Sequence, residues 1–198
     1  NILCCLFLGT VIHFGIIRTK LREMMQRRYI EKQRDTDNLT GCLTKAAFEN
    51  QMMQCLKEDE NAGVLLVMDV DKFKSINDNY GHTFGDLVLH TFGQNLAGTF
   101  PQSSLCGRFG GDEFVVWMPG ILTKKEITEH LDELVDRIHS IKTPDGKIVI
   151  TSSIGIAECP ENGKTYQELF ENADAALYTA KNLGRNRYVF CPDMGKGI

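Results

Sequence analysis

Arg108-Phe-Gly-Gly-Asp-Glu-Phe-Val-Val-Trp117 joins two apolar runs through a pair of glycines and a pair of carboxylates. Gly110 and Gly111 permit the positive φ angles of a tight hairpin turn, and without side chains they let a ligand approach the backbone. Beyond them Phe114, Val116 and Met118 alternate with Glu113, Val115 and Trp117, the period of a strand. That period sends Asp112 to one side of the sheet and Glu113 to the other, unless the turn twists them together. By itself the stretch is an ordinary hairpin with an acidic tip.

A second stretch gives the tip a purpose. Val64-Leu-Leu-Val-Met-Asp-Val-Asp71 is a continuous apolar run ending in two carboxylates, the pattern of a buried strand that delivers acids to an edge. Asp69 and Asp71 are two apart and share a face. Carboxylates are hard oxygen ligands suited to Mg²⁺, which takes one or two of them together with substrate phosphates. Asp69 on one strand and Asp112 on a neighbouring hairpin make such a pair. The arrangement resembles the metal site of nucleotidyl-transferring palm domains.

Length and composition narrow the class. A chain of 198 residues predicts one domain with an appendage, and 42% hydrophobic with 24% charged residues is ordinary for a globular protein. The net charge of −4 argues against a dedicated nucleic-acid binder, which carries a basic surface. The seven cysteines show no Cys-x-x-Cys and no paired spacing, so they read as reduced thiols and not as a disulfide framework or zinc site.

Residues 1–17 contain no Lys, Arg, Asp or Glu. As a helix they span roughly 25 Å, against ~30 Å for a hydrocarbon core, and read as the C-terminal part of a transmembrane helix. Arg18 to Arg34 holds seven Lys/Arg against two Glu. Basic residues placed after the apolar run, not before it, set this apart from a signal peptide and put the chain beyond Arg18 in the cytoplasm. The expected location is therefore a membrane, with the domain that follows on its cytoplasmic side. Residues 18–36 read as a charged linker helix, and 192–198 as a tail.

Between them, over 37–191, Thr44 is expected to N-cap a helix reaching roughly Lys57, ahead of the strand 64–70. Lys72 to His82 reads as polar and turn-rich, and a helix over 83–97 buries Phe84, Leu87, Val88, Phe92 and Leu96. Asp86 falls in its first turn, where the helix dipole favours an acid. After the hairpin come a helix over 124–141 with Ile127, Leu131, Leu134, Val135 and Ile138 inward, a strand over 147–157, a helix over 165–182 and a strand over 188–190. This order predicts an α+β fold, a largely antiparallel palm-like sheet flanked by helices.

Six blocks together resemble the GGDEF domain of diguanylate cyclases: Asp37-Asn-Leu-Thr-Gly41, Met68-Asp-Val-Asp-Lys-Phe-Lys-Ser-Ile-Asn-Asp78, Tyr80-Gly-His-Thr-Phe-Gly-Asp86, Arg108-Phe-Gly-Gly-Asp-Glu-Phe114, Thr151 to Ala157, and Ala173 to Arg187. The resemblance implies condensation of two GTP molecules to cyclic di-GMP with release of two pyrophosphates, one GTP on each subunit of a homodimer. It implies Mg²⁺, with Mn²⁺ as the alternative, on Asp69, the carbonyl of Val70 and Asp112. Glu113 matches a second acid, a metal ligand or the acceptor of the 3′-hydroxyl proton. Lys74 and the amides of Lys72 and Phe73 match phosphate contacts, with Gly110 and Gly111 beside them. Lys181 and Arg185 match terminal-phosphate contacts. Asn77 and Asp86 match the pair that reads the guanine edge, and His82 lies between them. A carboxylate accepts from guanine N1–H and N2–H₂, a donor pattern adenine lacks.

Two departures bear on regulation and fine structure. Where the family carries an inhibitory Arg-x-x-Asp motif, five residues ahead of the Gly-Gly pair, this chain has Pro101 and Ser104. Cys42 and Lys45 replace the usual Leu and Arg of the block that begins at Asp37. The rival functions are an inert GTP-binding regulator, which the intact acids oppose, and synthesis of a different cyclic dinucleotide, which Asp86 opposes.

Overall fold

The structure, a computed structural model, describes residues 17–22, 35–57 and 62–192. The chain divides into two units, Asn1–Asp35 and Thr36–Ile198. In the first, residues 17–22 are helical and exposed. Among the described residues no helix is long and apolar enough to cross a membrane. The apolar run 1–17 lies, but for Ile17, outside the described residues, as do most of the linker 18–36 and nearly all of the tail.

The second unit is α+β. Its elements in order are β1 (Leu43–Thr44), α1 (Lys45–Cys55), β2 (Gly63–Val70), α2 (Phe73–Tyr80), α3 (His82–Thr99), β3 (Leu105–Gly110), β4 (Glu113–Pro119), α4 (Lys124–His139), β5 (Ser152–Cys159), α5 (Tyr166–Asn182) and β6 (Arg187–Phe190). The six strands form one mixed sheet in the order β1-β3-β4-β2-β5-β6. The inner pairs are antiparallel, and the edge strands β1 and β6 run parallel to β3 and β5.

β2 is central because it is apolar on both faces, and both faces are covered. Val64, Leu66, Met68 and Val70 join Val88, Phe92 and Leu96 of α3 and Ile127, Leu131 and Leu134 of α4 in one core. Leu65 and Val67 face the other way, onto Phe48 and Met52 of α1 and Leu169, Ala173 and Leu177 of α5. β4 alternates in the same register, with Phe114, Val116 and Met118 on the first face and Val115 and Trp117 on the second. Capping boxes at Thr123/Glu126 and Thr165/Glu168 start α4 and α5 by satisfying N–H groups that a helix end leaves unpaired.

Several expectations are corrected. Lys72 to His82 is not a turn-rich loop. Its centre is the helix α2, whose Phe73, Ile76 and Tyr80 pack toward the core. Consequently α3 starts at His82, and Asp86 lies beyond its first turn, which removes the dipole argument for that residue. Leu87 is 56% exposed, and Leu89 takes the buried position assigned to it. Val135 is half-buried, whereas Ile127, Leu131, Leu134 and Ile138 are inside as expected. The strand expected over 147–157 forms at Ser152–Cys159, and 142 and 149 meet in an isolated bridge before it.

Candidate active site at the end of the central strand

β2 ends between two helical layers, and the predicted residues gather around that end. Asp69 has the parity of Leu65 and Val67, so it points to the α5 side, where Lys181 Nζ lies 2.9 Å from its Oδ2. Glu113 is directly opposite Asp69 in the β2–β4 register and shares its face. Asp112 is in the turn, not in the strand, and its carbonyl accepts the N–H of Val70 at 3.2 Å. Burial pushes the Asp69 carboxyl above its ordinary range. The Lys181 ammonium opposes this, and the neighbouring Asp112 charge adds to it. Two acids crowded at one strand end, one already holding an ammonium, form a place that favours a further cation.

Those donors fit Mg²⁺ in kind, two carboxylates and a backbone carbonyl. Among the described residues no three His, Cys, Asp or Glu side chains converge as a ready-made metal cluster. Glu113 is exposed on the face it shares with Asp69.

The turn itself is held from behind. Arg108 Nε and Nη2 donate to the carbonyl of Gly111 at 3.1 and 2.8 Å, while Nη1 donates to Asp37 Oδ1 at 3.0 Å. The same Asp37 oxygen accepts from Thr40 N–H and Thr40 Oγ1. These bonds keep the Asp37 carboxyl below its ordinary range even though burial works against them. Because the folded pKa is depressed, this contribution to stability is present above the unfolded value of about 3.9 and is lost as pH falls through the folded one. Phe109 is the extra residue of a bulge between Arg108 and Gly110, and its ring stands edge-on to Phe48 at 5.5 Å and stacked on Phe170 at 5.7 Å. Gly111 carries φ +51°, as the turn requires. In the sequence Arg108 and Asp37 stand only as parts of motifs, and their joint task of bracing the turn is visible in three dimensions alone.

On the opposite side of β2, α2 and α3 meet at Gly81. Asn77 is half-buried, and its Oδ1 is shut away from solvent without a hydrogen-bond partner among the described residues. An unpaired buried carbonyl costs about 1–3 kcal/mol. Gly85 keeps that oxygen in place, since a Cβ there would overlap Asn77 Oδ1 and come within 3.2 Å of the Phe73 ring. Gly85 escapes sequence reasoning as a site residue; its place beside Asp86 is the available signal. Asp86 and His82 are exposed on α3.

Lys72 adopts a left-handed conformation (φ +56°) and caps α2, whose first turn leaves N–H groups without intrahelical partners. Lys74 is exposed on that turn. Lys72 and Arg185 line one pocket of about 320 Å³, with Asp71, Ser75, Ile76 and Asn186.

The family model described as "Diguanylate cyclase, GGDEF domain" matches residues 34–187. This chain belongs to the GGDEF family. Among curated proteins it is 35% identical over 174 residues to the probable diguanylate cyclase DgcC of Escherichia coli, covering 85% of this chain and 46% of that protein. It is 31% identical over 173 residues to the diguanylate cyclase VdcA of Vibrio cholerae, covering 85% and 50%. The chain thus spans about half the length of these relatives. Among solved structures, the GGDEF domain of TpbB from Pseudomonas aeruginosa superposes with TM-score 0.73 at 32% identity, over 79% of this chain and 94% of that one. The coiled coil and GGDEF domain of DgcB from Caulobacter crescentus, in complex with c-di-GMP, superposes with TM-score 0.78 at 27% identity, over 92% and 97%. As a GGDEF domain, the chain keeps the acids of its defining hairpin, Asp112 and Glu113, and places them beside Asp69.

The region of the missing Arg-x-x-Asp motif closes on itself. Ser104 N–H donates to the Pro101 carbonyl at 2.9 Å, and Pro101 is exposed.

Proposed function

We propose that this protein is a diguanylate cyclase, joining two GTP molecules into cyclic di-GMP and releasing two pyrophosphates between two facing copies of the domain. The observation that carries the reading is Asp69, which stands opposite Glu113, within the influence of Asp112 and in an ion pair with Lys181. Asn77 and Asp86 read the guanine edge, the exposed Asp86 carboxylate accepting where guanine donates. Triphosphate extends across the end of β2 to the first-turn N–H groups of α2, Lys74, Lys181 and Arg185, whose charges oppose its own. When bound, Mg²⁺ would neutralise the phosphates and polarise the α-phosphate, held by Asp69, Asp112 and the Val70 carbonyl.

The 3′-oxygen of one nucleotide attacks the α-phosphorus of the other. A new P–O bond forms, the bond to the β-phosphate bridging oxygen breaks, and pyrophosphate leaves. The proton of the 3′-hydroxyl passes to Glu113, which is exposed toward an incoming nucleotide and shares the Asp69 face. The second ester forms the same way with the roles exchanged. One domain holds one nucleotide, so two domains must meet across a two-fold axis. The apolar run 1–17 followed by basic residues supports a membrane anchor with this domain on the cytoplasmic side.

Incubation of the chain with GTP and Mg²⁺, followed by chromatography, should yield cyclic di-GMP and pyrophosphate, with specific activity rising with protein concentration. Absence of turnover would overturn the activity. Constant specific activity of a monomer confirmed by sedimentation would overturn the two-domain site.

We further propose that cyclic di-GMP does not inhibit through the Arg-x-x-Asp position. Pro101 has no donor, not even an N–H, and Ser104 supplies an uncharged hydroxyl. Losing two charged contacts, each worth ~1.5–3 kcal/mol, weakens product binding about a hundredfold or more. Initial rates titrated with product should stay flat at low micromolar levels, and a Pro101→Arg/Ser104→Asp double variant should become sensitive. Tight non-competitive inhibition of the unmodified protein would refute this, unless a second site elsewhere on the domain were shown to cause it.

A further inference from the structure

Asp71 follows Asp69 by two residues and shares its face, yet it is 6% exposed and fully engaged inside the protein. Its Oδ1 accepts from Ser153 Oγ at 2.7 Å. Its Oδ2 accepts from Thr151 Oγ1 at 2.8 Å and from the backbone N–H of Asn186 at 3.0 Å. Its own N–H donates to the Thr151 carbonyl at 2.9 Å. A carboxylate used in this way has no free lone pair directed at solvent, so Asp71 is not a partner for Asp69 in holding a cation.

What it does hold is the turn after α5. Arg185 and Asn186 are consecutive non-glycine residues in the left-handed region, with φ +66° and +49°. Such residues persist only where surrounding bonds over-determine them. Here the bonds are few and identifiable. Arg185 N–H donates to the Ala180 carbonyl at 3.1 Å, Arg187 Nε donates to the Arg185 carbonyl at 3.0 Å, and His139 Nε2 donates to Asn186 Oδ1 at 2.8 Å. Asp71 alone among these ties the turn to the strand that carries Asp69. Asn186 is itself exposed, so without that bond its N–H would turn to water at little cost and the turn could relax.

We propose that Asp71 is a positioning residue that locks the Arg185–Asn186 turn to the end of β2, so that Arg185 grips the terminal phosphate in fixed register with the acids at Asp69 and Asp112. This rests on the phosphate contact proposed for Arg185. The role needs an acceptor, not a charge. An Asn at this position can put its oxygen toward Thr151 and Asn186 and its amide toward the Ser153 oxygen, so Asp71→Asn should preserve the lock. Asp71→Ala removes it.

The test is calorimetric binding of a GTP analogue with a methylene between α- and β-phosphorus, and of GMP, to the 198-residue chain and three variants. Arg185→Ala should weaken binding of the triphosphate about tenfold or more and leave GMP unchanged. Asp71→Ala should do the same, with KM for GTP raised more than kcat is lowered. Asp71→Asn should match the unmodified chain. Should Asp71→Ala lose its far-ultraviolet circular dichroism, Asp71→Ser takes its place with the same expectation. If Arg185→Ala weakens the triphosphate and Asp71→Ala does not, the lock is refuted while the phosphate contact stands. If Arg185→Ala has no effect, the phosphate contact itself falls, and the inference with it. Loss of binding in Asp71→Asn equal to that in Asp71→Ala would show that charge, not the acceptor, is what matters, and would overturn the role.

Discussion

Asp112→Asn is expected to abolish cyclic di-GMP synthesis, lowering the rate by about a thousandfold or more, the scale of losing a principal electrostatic stabiliser or metal ligand. The substitution keeps the shape of the side chain and removes its charge. It does not disturb the turn, because the bond that seats Asp112 on β2 runs from Val70 N–H to its backbone carbonyl. Arg108 grips the carbonyl of Gly111, again backbone, so the hairpin keeps its support. Thermal unfolding should therefore be nearly unchanged while activity is lost. With one of the two crowded charges gone, Asp69 also binds its proton less readily, which leaves its pair with Lys181 intact. Near-normal product formation, measured by chromatography at saturating GTP and Mg²⁺, would show that the acids assigned at the strand end are wrong.

Gly155→Ala is expected to have the largest effect on stability, at least ~3 kcal/mol, the upper range for overpacking a close-packed interior. Gly155 lies on β5 where α5 crosses it. A Cβ there would overlap the carbonyl oxygen of Ala173 and the backbone of Leu177, whose Cα would stand 2.9 Å away. Side chains can rotate out of a clash, but backbone cannot. The whole helix would have to lift, together with Leu169, Ala173 and Leu177, which are buried against the sheet. For a chain of this size ~3 kcal/mol lowers the unfolding midpoint by about 6–12 °C. A melting curve within a degree or two of the unmodified protein would mean that α5 does not ride on β5 this closely. The same helix carries Lys181, so residual folded protein should also bind GTP more weakly.

Much of this was legible because the central elements are marked by strong, redundant patterns. The uninterrupted apolar run of β2 requires cover on both faces, and its alternation sends Asp69 and Asp71 to the same side, as observed. The Gly-Gly pair placed the hairpin correctly. Sequence failed where the local signal was weak or the controlling contact was distant. Residues 73–80 are mostly polar, and the spacing of Phe73, Ile76 and Tyr80 was the only helical hint in them; overlooking it also misplaced Asp86 in its helix. Leu87 and Leu89 are two apart, and periodicity alone picked the exposed one. Asp71 could not be separated from Asp69, because what distinguishes them lies 80 or more residues away, at Thr151, Ser153 and Asn186.

The ion pair between Arg108 and Asp37 has a practical consequence for where this protein can be cut and rejoined. His90 Nδ1 donates to the Leu39 carbonyl at 2.7 Å, and Thr36 bridges to Leu43, so the segment from 36 to 43 is fastened to the domain at several points. A chimera joined ahead of Thr36 keeps this fastening whole and can accept a foreign input module. One joined only a few residues later discards Asp37, leaves the Arg108 guanidinium behind the Gly110–Gly111 turn without its counter-ion, and grafts the new module onto a loosened segment. The portable unit of this domain begins before its first helix, at a short turn that carries none of the chemistry.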